Sequence, residues 1–120
     1  MRILFVHQNF PGQYRYLAPA LANDSENLVV GIGEEAAIKR LRIFHPRIRL
    51  LGYAAPPGAG HETHHYLRSS EAAVRRGQAV ARVSIALRQR GFVPDVICAH
   101  PAWGEALFLK DVFQEQRLAP

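Results

Sequence analysis

An α/β fold with a parallel sheet and helices on both faces is what this chain predicts, and three observations carry that expectation. Apolar runs of strand length recur at Ile3–Val6, Leu28–Ile32, Arg47–Tyr53 and Asp95–Ala99. Stretches with helical spacing or helical end signals separate them. The resulting order, β-α-β-α-β-α-β-α, implies parallel strands joined by crossover helices.

Taken in order, Ile3-Leu4-Phe5-Val6 is continuous rather than alternating, the habit of a central strand buried on both faces. Asn9-Phe10-Pro11-Gly12 breaks the chain. Gln13–Ala22 then places Leu17 and Leu21 four apart, an amphipathic helix interrupted only by Pro19. Leu28–Ile32 is a second strand. Glu34–Leu41 is a short helix, with acidic residues suited to its N-terminal dipole and Lys39 four positions after Glu35. Arg47–Tyr53 is a third strand, and Ala54–His65, with Pro56, Pro57, Gly58 and Gly60, is a loop. Tyr66–Arg90 is the longest helix. At about 100° per residue, it groups Arg68, Arg75, Arg76, Arg82 and Arg90 on one side. The opposite arc holds Leu67, Val74, Val80, Ile85 and Leu87, with small residues Ala73, Gly77 and Ser84 along its centre. Gly91 ends that helix, Asp95–Ala99 is a fourth strand, and a last helix runs over Gly104–Val112. The sequence stops at Arg117–Pro120, just where a fifth strand should begin, so about four strands are expected, with strand four an open edge inviting self-association.

Composition bounds the function. The chain has 120 residues, 48% of them apolar and 21% charged, which is ordinary material for one compact globular domain. No apolar run approaches the roughly 20 residues of a membrane span, and the N-terminus is too short in apolar residues for a signal peptide. A lone Cys98 excludes an internal disulfide and reads as a buried, inert thiol. These features point to a cytoplasmic protein. The net charge of +5 implies attraction to phosphates or anionic lipid. The basic residues do not run together and Trp103 is the single tryptophan, so nucleic acid is not an expected partner.

In an open parallel sheet, ligands bind beyond the carboxyl ends of the strands. His7-Gln8-Asn9 and His100-Pro101-Ala102-Trp103-Gly104 carry the polar groups at such ends. His100 is a candidate donor to a sugar or phosphate, with Trp103 as an apolar wall, or else His100 caps its strand and Trp103 fills core. His7 either faces the ligand or satisfies a nearby carbonyl. Pro11-Gly12-Gln13 runs directly into a helix, so backbone N–H groups near Gly12 either face a diphosphate or form a tight turn. Ser69 and Ser70 are candidate helix caps.

Two motif matches are weak. Gly31-Ile32-Gly33-Glu34-Glu35-Ala36 fits G-x-G-x-x-A, but it follows the second strand, and Glu34 and Glu35 would repel a pyrophosphate. His61-Glu62-Thr63-His64-His65 spells H-E-x-x-H, yet it sits after a Pro/Gly loop rather than within a helix that would aim both histidines at zinc. No metal or cofactor is expected, and a zinc peptidase remains only a distant alternative. No paired-carboxylate site, phosphate-loop lysine or nucleophile elbow is present.

Several blocks together resemble bacterial family 4 glycosyltransferases. They are Met1-Arg2-Ile3-Leu4-Phe5-Val6-His7-Gln8-Asn9-Phe10-Pro11-Gly12-Gln13, Leu17–Ala22, Glu71–Arg82, Gly91–Ile97, and His100-Pro101-Ala102-Trp103-Gly104-Glu105 through Phe113. The resemblance spans nearly the whole chain and implies an incomplete N-terminal domain of a GT-B enzyme, in which two Rossmann-like domains close on a cleft. Such enzymes are retaining and move a sugar from a nucleotide-sugar donor without a metal. The N-terminal domain holds the acceptor, a glycan or lipid, while its first βα loop, here Phe10–Gln13, approaches the donor diphosphate. Pro11-Gly12 replaces the two adjacent glycines frequent in that loop. The strand-end reading and the resemblance together make His7, Gly12, Gln13, His100 and Trp103 the substrate-binding candidates, with no catalytic residue assigned. The C-terminal donor domain, with its paired glutamates, is not among these residues, and the expectation is no turnover from them alone. Peripheral contact with anionic membrane at the cytoplasmic face fits the charge. The alternative is a stand-alone flavodoxin-like binding or interaction module without catalysis.

Overall fold

The computed structural model describes residues 1–41, 44–55, 67–100, 104, 106–113 and 117–119. Parallel strands β1 (Arg2–Val6), β2 (Leu28–Glu34), β3 (Ile48–Tyr53), β4 (Val96–Ala99) and β5 (Arg117–Ala119) alternate with helices α1 (Leu17–Ala22), α2 (Glu35–Arg40), α3 (Arg68–Gln89) and α4 (Leu109–Val112). The five strands form one sheet in the order β3-β2-β1-β4-β5. From β1 the chain steps outward through β2 to β3, then α3 carries it back across to β4 on the far side of β1. The direction of winding therefore reverses between β1 and β4, the place where ligands collect in such sheets.

The continuous apolar run of β1 has the role its pattern predicts. Side chains alternate across a strand, so Leu4 and Val6 join Val30, Ile32, Ile97 and Ala99 beneath α3 and α4. Ile3 and Phe5 join Val29 and Ile48 on the opposite face, with Tyr14, Ala18 and Ala22 above them. β1 is flanked by β2, with Val6 opposite Ile32, and by β4, with Val6 opposite Ala99.

Several boundaries differ from the sequence expectation for physical reasons. The helix expected over Gln13–Ala22 is a 3-10 turn at Gly12–Tyr14 followed by α1. Pro19 has no N–H to give Arg15 O and its ring would collide with that carbonyl, so a single helix cannot run through. β2 continues past Ile32 to Glu34, because Gly33 and Glu34 pair with Gly52 and Tyr53. The helix expected from Gly104 begins only at Leu109. Gly104 has φ +94°, outside the helical range. Ser70 lies within α3, whose N-cap is Leu67, so it does not cap.

Strand four is not an open edge either. β5 pairs with it from Val96 opposite Arg117 to Cys98 opposite Ala119, and the outer edge passes to those residues.

The small-residue line of α3 is covered as expected, but at Ala73 and Gly77 it meets the segment around Gly104 rather than the sheet, and its flanks are not covered. Gly77, Val80, Ser84 and Leu87 are buried, whereas Leu67, Val74 and Ile85 are exposed. The buried stripe is thus narrower than the predicted arc and turned toward Arg76, whose side chain is 18% exposed rather than solvated. Burial of Val80 and Leu87 stabilises the docked helix by about 1.5–3 kcal/mol each. The reason for small residues there is Gly104: a Cβ on Gly77 would stand 2.8 Å from Gly104 O, and one on Gly104 would strike the Ala73 carbonyl. The segment after β4 lies directly on the helix backbone. Among the described residues no helix is long and apolar enough to cross a membrane.

Candidate functional site

The strands that flank the winding reversal end in histidine. His7 N donates to Ile32 O at 3.0 Å and His100 N donates to Val6 O at 3.2 Å. These bonds extend the two ladders by one residue and seat both histidines at the carboxyl edge. Their rings meet with centroids 5.2 Å apart at an interplanar angle of 61°. Two residues 93 positions apart in sequence are thereby brought to one point.

Gly12 seats the His7 ring. It has φ +48°, and a Cβ there would stand 2.5 Å from both Cε1 and Nε2 of His7. Asn9 N donates to His7 Nδ1 at 3.0 Å. An Nδ1 that accepts a backbone proton leaves the neutral ring's own proton on Nε2, while Gly12 lies over the ring face at Cε1, Nε2 and Cδ2. Burial lowers the His7 pKa from its ordinary value, and the neighbouring His100 lowers it further. His7 is thus held as a neutral donor. The Tyr14 ring closes the far side, 6.2 Å from His7 edge-on and 5.0 Å from Phe5.

The Gly12 N–H does not face outward. It donates to Asn9 O at 3.0 Å, and Tyr14 N donates to Pro11 O at 2.7 Å, so these two donors are used within the turn. Glycine serves here by its missing side chain and its positive φ. Gln13, beside it, is exposed.

A second polar group sits one strand over. Gln8 Nε2 donates to Glu34 Oε1 at 3.0 Å, and Arg76 Nε stands 3.8 Å from the same oxygen. The Glu34 and Arg76 side chains are only 17% and 18% exposed. Glu34 N also donates to Gln8 O at 3.0 Å, tying the tip of β2 to the β1 loop. Sequence reasoning missed this cluster because it assigned Glu34 to a helix dipole and Arg76 to the solvated side of α3. The signal was present: Arg76 is adjacent to Gly77, about 100° around the helix from the buried line, so it flanks the contact with the sheet.

The G-x-G match has a packing explanation. A Cβ on Gly31 would stand 2.6 Å from Phe10 Cζ, and one on Gly33 would stand 3.0 Å from both His7 O and Phe10 Cβ. Both glycines make room for the loop after β1, which folds back over β2 and buries Phe10 completely. Its ring then meets Phe44 edge-on at 5.8 Å. Cys98 is half-buried and its thiol pKa is raised by burial, as an inert strand thiol requires. Trp103 and the whole His61–His65 motif lie outside the described residues.

Compared with known families, residues 25–119 match the model of the glycosyl transferase family 4 group. No curated protein matches the chain.

Proposed function

Because this chain belongs to the glycosyl transferase family 4 group, we propose that it supplies the acceptor-side, N-terminal half of a two-domain cleft in which a sugar passes from a nucleotide sugar to a glycan or lipid hydroxyl. The observation that carries this reading is the meeting of His7 and His100 above Gly12 at the winding reversal.

In such a transfer the bond from the anomeric carbon to the diphosphate oxygen breaks, a glycosidic bond forms to the acceptor oxygen, and the acceptor hydroxyl's proton passes to the departing diphosphate. Negative charge builds on the departing diphosphate. The Nε2–H of neutral His7 and the His100 ring are positioned to donate to that charge, or to a sugar hydroxyl beside it, from a half-buried edge where such bonds gain strength. Gln13 stands at the mouth of the same turn. Trp103, three residues past His100, supplies an apolar wall in this proposal.

In this proposal the remaining electrostatic stabilisation comes from a second, donor-binding domain. The 120-residue chain alone is therefore expected to bind a nucleoside diphosphate weakly and to transfer no sugar. Titration with uridine and guanosine diphosphates, followed by amide chemical shifts, tests this. Saturable shifts at Gly12, Gln13 and His100 that vanish in His100→Ala support the assignment. Shifts confined to other parts of the sheet would overturn it. A cytoplasmic location with the basic surface against anionic lipid belongs to the same proposal, and flotation on vesicles with and without phosphatidylglycerol decides it. Equal recovery in both would remove the membrane contact.

A further inference from the structure

We propose that the outer side of α3, together with α4, is a docking groove for an acidic amphipathic helix of a protein partner. The proposal is independent of the transferase reading, because it uses none of the residues of the histidine edge.

Not every apolar residue of α3 serves the core. Val80, Ser84 and Leu87 are buried, whereas Leu67, Val74 and Ile85 are exposed, the last two by 41% and 38%. Leu67, Val74 and Ala81 follow one another at intervals of seven residues, and Ile85 comes four later. At about 100° per residue these four fall within roughly 40° of one another, about a third of a turn from the buried line. Apolar side chains exposed singly are ordinary. A row at one angle, with this spacing, is instead the seam along which one helix packs against another. From Leu67 to Ile85 the row rises roughly 27 Å, which about 18 residues of a partner helix would cover.

The segment that leads into α4 gives the seam a wall. A Cβ on Gly77 would stand 3.1 Å from Phe108 Cδ2 and 3.2 Å from Leu107 Cβ, so these residues lie close against α3. Between the two helices runs an open groove of about 530 Å³, lined on its apolar side by Ala81, Ile85, Phe108 and Val112. Arg88 Nη1 donates to Val112 O at 2.8 Å and ties the two helices together at one end of it. No described element covers this groove.

Charge selects the occupant. Two guanidiniums, Arg82 and Arg88, and one carboxylate, Asp111, line the groove. Arg75, on the Arg82 flank, is matched by Glu71 at 2.6 Å, whereas Arg82 is in no ion pair among the described residues. Residues that flank a helix seam set the choice of partner, so carboxylates beside the apolar row of an incoming helix meet Arg82. A second copy of this chain would bring the same two arginines to the contact, and the net charge of +5 adds to that repulsion.

The test uses the 120-residue chain and a fluorescein-labelled peptide three heptads long, with leucine at the seam positions and glutamate beside them. The peptide's own charge keeps it from pairing with itself. Anisotropy should show saturable binding with a Kd on the order of 10–100 µM, and amide shifts should move at Val74, Gln78, Ile85 and Phe108. The same peptide with lysine in place of every glutamate should bind at least about tenfold more weakly. Ile85→Asp and Arg82→Glu, both at exposed positions, should each weaken the acidic peptide about tenfold, with unchanged amide dispersion showing that the variants are folded. Absence of saturable binding overturns the proposal, as do equal binding of the two peptides and shifts confined to other surfaces. A dimer in sedimentation that Ile85→Asp dissolves would give the face to a second copy. Flotation on phosphatidylglycerol vesicles that the same variant abolishes would give it to lipid, and either result also overturns the proposal.

Discussion

Replacing Gly12 by alanine tests the construction of the histidine edge directly. With φ +48°, an L-residue at this position costs about 1–2 kcal/mol of backbone strain. The new Cβ would also stand 2.5 Å from Cε1 and Nε2 of His7, so the ring must retreat by roughly 1 Å to reach ordinary carbon contact distance. That movement stretches the 3.0 Å bond from Asn9 N to His7 Nδ1, a loss of about 0.5–1.5 kcal/mol. Together these predict a loss of about 2–3 kcal/mol, or roughly 8–12 °C in Tm for a domain of this size. Urea unfolding of Gly12→Ala, His7→Ala and the double variant measures it. In the His7→Ala background only the backbone strain should remain, so the coupling between the two sites should be about 1 kcal/mol. A single-variant loss below about 0.5 kcal/mol, or purely additive effects, would refute the claim that Gly12 is needed to seat His7.

The other predictions concern packing and protonation. Ser84→Ala should stabilise the protein by about 1 kcal/mol, because Ser84 is fully buried and its Oγ has no hydrogen-bond partner among the described residues; a lower urea midpoint would contradict this. Gly31→Ala should cost about 1–3 kcal/mol by overpacking, since the new Cβ would meet Phe10 Cζ at 2.6 Å. Phe10→Leu should relieve part of that cost, and no relief would count against the packing explanation. Burial, and secondarily His100, lowers the folded-state pKa of His7, so the unfolded chain binds more protons below about pH 6.5. Stability should therefore hold above that pH and decline as pH falls through the lowered value. Urea midpoints between pH 8 and 5 should show the decline in the native chain and a flatter profile in His7→Gln; an identical slope in both would remove His7 as its source.

Family membership has a narrower consequence than the site geometry. The match over residues 25–119 includes β2 through β5 but not the loop that carries His7 and Gly12. The family assignment and the histidine edge are therefore separate observations. His100 lies within the matched span, and its ring contact with His7 is what joins them.

The succession of strands and helices along the chain and the identity of the residues at the strand tips were legible in the chain because they depend on local patterns. Ile3-Leu4-Phe5-Val6 has too many consecutive apolar residues for an edge strand, and the alternation of runs with helices requires crossovers. The first residues past β1 and β4 could then be named without coordinates. The extent of each helix was less accessible, since Pro19 and Gly104 act through a missing N–H and a backbone angle that periodicity does not register.

Three matters were decided only by tertiary structure. His7 and His100 come together because β1 and β4 are sheet neighbours, a pairing across the winding reversal that no local pattern specifies. Gly31 and Gly33 are glycines because Phe10 folds over them, which converts an apparent nucleotide fingerprint into a packing requirement. Arg76 leaves the solvated face because the close approach of Gly77 to Gly104 sets the rotation of α3 on the sheet, and that rotation brings its guanidinium to Glu34. A sequence determines periodicity, breaks and residue chemistry, which are properties of neighbours along the chain. Rotation, register and the closeness of distant side chains follow from packing at near-crystalline density, where a contact of a few ångströms depends on every element that surrounds it.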